Sequence, residues 1–338
     1  MIRTAILGAS GYVGGELLRC LAMHPAIEPA RLFGDSKAGH SLASVHPHVA
    51  PAYPDVLVER FDQQALDGID LVFAALPHGE SQKIAGSILE RGIRLVDLGA
   101  DFRLADPATY ARWYGHEHAA PELLGRFVYG IPELERERIR ASDAVAAAGC
   151  YPTAAILATR PLVEAGLIEP GSLIVDAASG VSGAGRALKE GTSYNTVEGS
   201  LSAYGLLNHR HTAEMEQALG SAVLFTPHLA PMTRGILATC YGAAARAMTA
   251  DEPLEALRSA YGSEPFVHMT ADAPATKWVA GSNAVQLTAR YDERTDRVLA
   301  IAAIDNLGKG AAGQMIQCAN LMLGLPETTG LSACGVYP

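Results

Sequence analysis

The chain opens with a short apolar run that leads into a glycine-rich turn, "IRTAILGASGYVGGELL", residues 2–18. The run predicts a strand over residues 2–7, and the pattern after it predicts a helix ending near residue 24. Glycines in such a turn let the backbone approach a pyrophosphate at the positive end of the helix. A simple tight turn is the alternative, but its position after an amino-terminal strand favours a dinucleotide site. The candidate contacts are Gly8, Ser10, Gly11, Tyr12, Val13 and Gly14.

The strand and helix patterns continue to alternate after this turn. A second strand is predicted at residues 30–34, and residues 69–103 predict strand, loop, helix and strand. Their apolar runs do not alternate with polar residues, which is typical of parallel strands covered on both faces. We therefore predict an α/β protein with an amino-terminal Rossmann-type, doubly wound sheet. His78 and Gly79 follow one of these strands, where a Rossmann loop meets its cofactor.

The pattern changes after residue 170. Residues 284–306 predict two antiparallel strands around a polar turn at residues 292–297, and residues 235–248 predict another long strand. These strands indicate an α+β second domain with a mostly antiparallel sheet. A final helix that stops near Gly324 is expected to pack on the first domain. The predicted domains are 1–149 with 306–338 for dinucleotide binding, and 150–305 for catalysis, substrate binding and oligomerisation.

Composition and charge narrow the class of protein. The 338 residues carry a formal net charge of -10, which argues against nucleic acid or an anionic membrane as a partner. No signal peptide and no spanning apolar run is recognisable, so we expect a cytoplasmic protein. The cysteines are scattered with no metal-ligand spacing, so no metal site is predicted. Cys20, Cys240 and Cys318 fit ordinary core positions.

Residues 35–37, which follow the second strand, bear on whether the dinucleotide is NAD or NADP(H). Asp35 stands where an acidic side chain would bind the ribose of NAD, but Ser36 and Lys37 follow it directly. A hydroxyl and an ammonium suit a 2′-phosphate, which favours NADP(H). A solvated loop is the alternative interpretation of Ser36 and Lys37.

Cys150 lies in "AAAGCYPTAA", between an apolar strand pattern and a helix pattern. Pro152 is compatible with the first turn of that helix. A thiol at the positive end of a helix dipole tends to have a lowered pKa and hence more thiolate. The location therefore favours a nucleophile over a buried structural thiol.

The segment "YGLLNHRHTAEM", residues 204–215, supplies candidate bases for this thiol. His211 is the preferred base and His209 the alternative, since alternate residues of an extended segment face opposite sides. A cysteine peptidase also pairs a thiol with a histidine, but its mechanism has no use for a dinucleotide. An aldehyde dehydrogenase or acyl-phosphate reductase uses both.

The chain also resembles a known family along essentially its whole length. Its motifs follow the order found in N-acetyl-gamma-glutamyl-phosphate reductases, relatives of the aspartate-semialdehyde dehydrogenases: "GASGYVGGELLR", "ALPHGES", "DLGADFRL", "YGIPEL", "GCYPTA", "SGVSGAGR", "HRHTAEM", "PMTRGILAT" and "DNLGKGAAGQMIQCANLMLGL". Many members have Asn-Pro where this chain has Ala147 and Ala148. The resemblance implies NADPH-dependent reduction of N-acetyl-gamma-glutamyl phosphate in arginine biosynthesis, with release of phosphate, by a homodimer or homotetramer. It also implies that Cys150 is the nucleophile.

The same resemblance implies further contacts. One loop near the nicotinamide and substrate includes Ser179, Ser182, Gly183 and Arg186, and a second cofactor segment includes Asn306, Gly308 and Lys309. An acyl phosphate with an α-carboxylate needs at least one guanidinium, because arginine binds oxyanions as a planar fork. The candidates for substrate binding are Arg103, Arg186, Arg210 and Arg234, with Tyr204 in the same pocket.

Two alternatives remain at this stage. The substrate can be another acyl phosphate, such as aspartyl phosphate or a carrier-bound aminoadipyl phosphate. Alternatively, the chain is a non-catalytic sensor of NADP(H). His46 and His48 are interpreted as ordinary loop histidines.

Overall fold

A computed structural model describes residues 1–337, which form two compact units. The first unit comprises Met1–Ala148 and Ala311–Leu331. Its helices and strands are β1 Ile2–Leu7, α1 Tyr12–Leu21, β2 Ile27–Phe33, α2 Leu42–Val45, β3 Leu71–Ala74, α3 Ser81–Glu90, β4 Arg94–Asp97, α4 Pro107–Tyr114, β5 Val128–Gly130, α5 Pro132–Arg140, β6 Ala144–Ala147 and α10 Gly313–Met322.

The strands of the first unit form one parallel sheet in the order β2-β1-β3-β4-β6-β5. Successive residues of each strand face opposite sides, so Ile6 joins a core with α1 and α10, while Leu7 joins a second core with α3. Both faces of the sheet are therefore covered by helices. This confirms the predicted doubly wound sheet and the packing of the final helix on the first unit.

The second unit comprises Gly149–Gly310 and the chain from Ser332 onward. Its helices and strands are α6 Cys150–Glu164, β7 Leu173–Gly180, α7 Tyr194–Val197, β8 Ser202–Ala203, α8 His211–Leu219, β9 Val223–Ala230, β10 Ile236–Ala243, α9 Glu252–Tyr261, β11 Val267–Met269, β12 Val285–Asp292 and β13 Arg297–Ile304.

These strands form a mixed sheet in the order β11-β12-β13-β10-β7-β9-β8. Only the β11–β12 and β7–β9 pairs are parallel, so the prediction of a mostly antiparallel sheet is confirmed. The predicted hairpin is formed by β12 and β13, with Asp292 paired to Arg297 across the turn.

One face of this second sheet is buried under α6, α8 and α9, and the other carries a row of half-exposed apolar side chains. Leu224, Ile174 and Tyr241 lie side by side on β9, β7 and β10, and they are 48%, 39% and 40% exposed. This row belongs to the strands' outward-facing positions, whereas alternate residues such as Val175 and Cys240 are buried.

The units differ from the predicted domains at the carboxyl end. Residues 306–310 and the chain from Ser332 onward belong to the second unit. Backbone hydrogen bonds explain this, because Ser332 accepts the N–H of Asn283 and Ala280 accepts the N–H of Val336.

Cys20, Cys240 and Cys318 are buried and unbridged, as expected of core thiols. Among residues 1–337, no cluster of three or more potential metal ligands occurs. None of the helices described is long and apolar enough to cross a bilayer.

His24 ties the end of α1 to the last helix of the first unit. Its Nδ1 accepts the N–H groups of Ala26 and Ile27 at 3.2 and 2.9 Å, and its Nε2 lies 3.0 Å from Asn320 Oδ1. Nδ1 therefore carries no proton and Nε2 donates to Asn320. Burial lowers the pKa of His24, and the bond to Asn320 opposes this only in part.

We predict that the free energy of unfolding falls as the pH drops from about 7 to about 5. The folded state disfavours a protonated His24, so its contribution is complete above the ordinary histidine pKa of 6.5 and is lost as the pH falls below it. Urea unfolding of His24→Gln should show a weaker pH dependence than wild type. The exposed His48→Gln serves as the control, and equal pH dependence in all three proteins would contradict the assignment.

Candidate active site

The glycine turn of the first unit has the geometry of a phosphate cradle. Gly8 adopts a φ of +81°, and a Cβ there would lie 2.2 Å from the carbonyl oxygen of Ala75, the residue that follows β3. A Cβ on Gly14 would lie 2.6 Å from backbone atoms of Ala9. Gly11 begins α1 in an extended conformation, and no side chain caps this helix or adds an acidic group to its first turn. The residues present therefore fit a pyrophosphate at this helix start.

His46 supports this turn from behind. It is buried, its Nε2 lies 2.9 Å from the carbonyl oxygen of Ala9, and its ring occupies the space beside Gly15. His46 is therefore a buried structural support of the turn and not a solvated loop side chain. His48 is exposed and meets His46 edge-on at 5.7 Å between ring centroids.

The other predicted cofactor contacts of the first unit follow the carboxyl ends of β2 and β3. Ser36 and Lys37 are exposed directly after β2, and the neighbouring Asp35 lies 3.6 Å from Arg60. His78 is exposed after β3 and contacts the ring of Tyr114. These residues lie at the sheet edge where ligands bind in open α/β folds.

A buried polar cluster follows β4. Asp101 accepts the N–H of Gly79 at 2.7 Å, which anchors the loop that contains His78. Asp97 is fully buried, and desolvation raises its pKa to about 7, although Ser81 and Gly99 donate to its carboxylate. Arg103 is also buried, and its guanidinium donates to the carbonyl oxygen of Leu98 at 2.6 Å.

In the second unit, Cys150 is the first residue of α6, and its neighbour Gly149 is the extended N-cap. Thr153 donates to the Gly149 carbonyl oxygen through both N–H and Oγ1, at 2.9 Å each. The thiol is partly exposed at this helix start. The position deduced from the sequence, a thiol at the amino end of a helix, is therefore the one observed.

Glu214 links the start of α6 to the candidate base. Its carboxylate is fully buried, Oε2 accepts the N–H of Gly149 at 2.9 Å, and Oε1 lies 3.8 Å from His211 Nε2. Glu214 was not predicted as a site residue. The available signal was a carboxylate three residues after His211, on the same face of a helix with otherwise apolar neighbours.

His209 lies in an aromatic enclosure formed by Tyr151, Tyr204 and Phe225, with ring centroids 5.8, 5.6 and 5.3 Å away. Burial lowers the pKa of His209 to about 4, and the nearby charge of Arg210 contributes to the shift. Its Nδ1 accepts the N–H of His211 at 3.2 Å. His209 is therefore neutral near neutral pH, with the proton on Nε2.

Tyrosine hydroxyls extend this enclosure. Tyr204 donates to the hydroxyl of Tyr151 at 3.2 Å, and Tyr151 donates to the carbonyl oxygen of His228 at 2.9 Å. Desolvation raises the pKa of Tyr204 to about 12 and that of Tyr151 further. Both hydroxyls are therefore protonated over the physiological range. Tyr151 also contacts the ring of His211 at 5.9 Å, which brings the base close to the residue that follows Cys150.

Two predicted loops meet at Asn306. Its side chain donates to Ser182 Oγ at 2.9 Å and accepts the N–H of Gly235 at 2.7 Å. Gly183 lies beside Ser179, because a Cβ on it would be 3.2 Å from Ser179 Oγ. The predicted residues Ser179, Ser182, Gly183 and Asn306 are therefore neighbours.

A π-helical turn over Gly308–Ala312 lies against the thiol. A Cβ on Gly310 would lie 2.9 Å from the Cβ of Cys150, and Lys309 is fully buried. Arg234 is held at the start of this turn by Asp305, with Nε 3.2 Å from Oδ1. Arg210 is half-buried just before α8, whereas Arg186 is exposed beyond Gly185. Cys150, both histidines, Tyr204 and Arg234 thus belong to one unit.

This architecture, a parallel nucleotide-binding sheet with a second unit whose thiol starts a helix, is that of a semialdehyde dehydrogenase. Residues 3–142 match the family model for the semialdehyde dehydrogenase NAD binding domain, and residues 150–306 match that for the semialdehyde dehydrogenase dimerisation domain. N-acetyl-gamma-glutamyl-phosphate reductases from Symbiobacterium thermophilum and Salinispora arenicola are each 48% identical to the chain, over 100% of it and 99% of the relative. The chain belongs to the N-acetyl-gamma-glutamyl-phosphate reductase family.

Solved structures agree on the fold. Aspartate semialdehyde dehydrogenase II from Vibrio cholerae superimposes with a TM-score of 0.72 at 16% identity, over 96% of this chain and 98% of the other. Aspartate semialdehyde dehydrogenase from Candida albicans, solved with NADP, gives the same TM-score, identity and coverage.

We predict that Gly310→Ala slows alkylation of Cys150 by iodoacetamide. The added methyl group meets Cys150 Cβ at 2.9 Å, so either the turn or the thiol must shift, at a cost of about 1–3 kcal/mol in stability. The rate is followed by mass spectrometry of the peptide that contains Cys150. Gly191→Ala, where a Cβ meets nothing within 4 Å, is the matched control in the same unit. Wild-type alkylation and stability in Gly310→Ala would refute the close contact.

Proposed function

We propose that the chain catalyses the NADPH-dependent reduction of N-acetyl-gamma-glutamyl phosphate to N-acetylglutamate 5-semialdehyde with release of phosphate, a step of arginine biosynthesis. The observation that carries this proposal is Cys150 at the start of α6, joined through Gly149 and Glu214 to His211. Full-length relatives named N-acetyl-gamma-glutamyl-phosphate reductase, at 48% identity, support the choice of substrate.

Cys150 is the nucleophile in this proposal and His211 is the base. The positive end of α6 stabilises a thiolate on Cys150, and His211 accepts the thiol proton. Glu214 stabilises the resulting imidazolium and keeps the ring oriented toward the start of the helix. His209 suits the role less well, because burial lowers its pKa to about 4 and its Nδ1 already accepts the N–H of His211, so it is a poor acceptor for the thiol proton.

The thiolate attacks the carbonyl carbon of the acyl phosphate. A carbon–sulfur bond forms, the carbon–oxygen bond to the phosphoryl group breaks, and phosphate leaves with the electron pair. N–H groups of the first turn of α6 are the candidate donors to the carbonyl oxygen, as in an oxyanion hole. The product on the protein is a thioester of Cys150.

The chemistry that bound NADPH supplies is a hydride, the two electrons that separate a thioester from an aldehyde. His211 provides the proton for the carbonyl oxygen and takes it back as the carbon–sulfur bond breaks. The electron pair of that bond returns to sulfur, which restores the Cys150 thiolate and frees the semialdehyde.

The first unit is the proposed dinucleotide-binding domain, and the second the proposed catalytic and substrate domain. The turn of Gly8, Gly11 and Gly14, with Ser10, Tyr12 and Val13, would hold the pyrophosphate at the start of α1. Ser36 and Lys37 would bind the 2′-phosphate, and His78 and Gly79 would line the same sheet edge. In the second unit, the proposed cofactor contacts are Ser179, Ser182, Gly183, Asn306, Gly308 and Lys309.

Four arginines are the proposed ligands for the anionic groups of the substrate. Arg234 and Arg210 are the stronger candidates, because they lie in the unit that holds Cys150 and are partly buried. Tyr204 would line the same pocket. Arg103, already engaged with Leu98, and the exposed Arg186 are weaker candidates.

We infer a cytoplasmic homodimer or homotetramer. The row formed by Leu224, Ile174 and Tyr241 offers an apolar sheet face for a second copy, and the family model for this region describes a dimerisation domain. A monomer in analytical ultracentrifugation at micromolar concentration would contradict the oligomer.

We expect the wild-type protein to reduce NADP⁺ in the presence of N-acetylglutamate semialdehyde and inorganic phosphate, and Cys150→Ser to be inactive, because a serine hydroxyl at this position lacks thiolate reactivity. His211→Ala should slow turnover by about 10²–10⁴-fold. The measurement is nicotinamide absorbance, with phosphate-free and aspartate-semialdehyde controls. Full activity in Cys150→Ser would exclude the thioester route. Preference for another semialdehyde would reassign the substrate, and NADP⁺ binding without turnover would indicate a sensor.

We predict that Lys37→Ala weakens NADPH binding by about tenfold, the loss of one charge-assisted contact to the 2′-phosphate, and leaves NADH binding unchanged. Titration of the nicotinamide fluorescence measures both affinities. Lys277→Ala, a lysine of the second unit, is the matched control. Equal losses for NADPH and NADH would show that Lys37 does not read the 2′-phosphate.

A further inference from the structure

Asp305 is a buried carboxylate at the end of β13 that several groups bind at once. Its Oδ1 accepts the N–H groups of Leu307 and Gly308 at 2.9 and 3.1 Å, and its Oδ2 accepts the N–H of Gly281. Arg234 Nε lies 3.2 Å from Oδ1 and 3.1 Å from Oδ2. The carboxylate itself has no exposure to solvent. A buried charge of this kind persists only when it is paired and hydrogen-bonded, and Asp305 is both.

The same carboxylate fixes the loop between β9 and β10. Arg234 is the charged residue of that loop and is only partly buried, with 26% of its side chain exposed. The next residue, Gly235, donates its N–H to Asn306 Oδ1 at 2.7 Å. Two consecutive residues of the loop are thus attached to two consecutive residues after β13. The guanidinium plane of Arg234 therefore has a defined orientation instead of sampling several rotamers.

Asp305 also holds the backbone that faces the thiol. Its bonds to Leu307 and Gly308 set the start of the π-helical turn, and its carbonyl oxygen accepts the N–H of Gly310 at 2.9 Å. Gly310 is the residue whose added Cβ would meet Cys150. One buried carboxylate therefore sets both a partly exposed guanidinium and the wall beside Cys150.

We propose that Asp305 is a positioning residue that orients Arg234 to bind an oxyanion of the substrate, either the phosphoryl group or the α-carboxylate. This inference rests on the proposed function, because it takes the substrate to be an acyl phosphate. Asp305 does not touch the substrate and acts through the Nε contact with Arg234. A guanidinium fixed at Nε presents its planar donors in one direction, and planar donors bind an oxyanion best when their direction is set in advance.

The oxidative direction of the reaction separates the two oxyanions, because inorganic phosphate and N-acetylglutamate semialdehyde are varied independently. We expect Asp305→Asn to raise one of the two KM values by about tenfold or more, because a misoriented Arg234 loses a charge-assisted hydrogen bond to the substrate. The same substitution should lower kcat much less. The KM that rises identifies the oxyanion that Arg234 binds. Asp292→Asn, an exposed carboxylate at the β12–β13 turn of the same unit, should keep wild-type constants.

A second background distinguishes positioning from general stability. If Asp305 acts through Arg234, then Asp305→Asn adds no further rise in KM to the Arg234→Ala variant. The same fold-change in both backgrounds would overturn the proposal, and so would an unchanged KM in a folded Asp305→Asn variant.

If Asp305→Asn does not fold, Arg234→Lys tests the proposal instead, because Arg234 is partly exposed and the substitution is expected to fold. Lysine keeps the positive charge but lacks Nε and the planar guanidinium. The KM of Arg234→Lys should approach that of Arg234→Ala, and a wild-type KM would refute the need for a fixed guanidinium.

A binding measurement that needs no turnover compares the same variants. Inorganic phosphate or N-acetylglutamate is added alone, and the degree to which it slows alkylation of Cys150 by iodoacetamide is measured in each variant. If the wild-type protein does not reduce NADP⁺ with N-acetylglutamate semialdehyde and phosphate, the proposed reaction is wrong. Equal protection in wild type, Asp305→Asn and Arg234→Lys would overturn the role of Asp305.

Discussion

The buried carboxylate of Glu214 accepts the N–H of Gly149, and the position of the catalytic unit's thiol depends on that hydrogen bond. A carboxylate with no exposure to water must be satisfied by fixed donors, so Glu214 cannot move without a large desolvation cost. Because Gly149 is the N-cap of α6, the bond sets where the helix begins and where Cys150 points. The other oxygen of Glu214 lies 3.8 Å from His211, so one buried charge places both the proposed nucleophile and its proposed base.

The surroundings of this bond keep it effective. Tyr151, Tyr204 and Phe225 pack around His209, and this burial strengthens the electrostatic interactions beside it. The same burial lowers the pKa of His209 to about 4, which favours the neighbouring His211 as the proposed proton carrier. Asp305 likewise accepts hydrogen bonds from Arg234 and from the turn that contains Gly310, whose added Cβ would meet Cys150. Two buried carboxylates thus hold backbone beside Cys150, Glu214 through Gly149 and Asp305 through the turn that contains Gly310.

Much of the fold follows from local patterns. Unbroken apolar runs indicated parallel strands, the polar turn at residues 292–297 indicated a hairpin, and the glycine spacing after β1 indicated a phosphate cradle. Each of these signals lies within a few residues of the structure that it predicts. Glu214, Asp305 and His46 gave no comparable signal. The hydrogen-bond partner of Glu214 lies 65 residues away along the sequence, and that of His46 lies 37 residues away. In the sequence alone, both side chains therefore look like ordinary solvated ones.

The sequence by itself determined the two sheet types, the glycine turn, and a thiol at the start of a helix, because periodicity, glycine spacing and helix-start residues act over short distances along the chain. The sequence favoured His211 over His209 as the base but gave no firm physical ground for separating them. The folded surroundings supply one, because an aromatic enclosure buries His209 and a buried carboxylate lies beside His211, and both features favour His211 as the proposed base. Burial and long-range pairing set the charge state of each ring, and both exist only after the second sheet has brought α6 and α8 together.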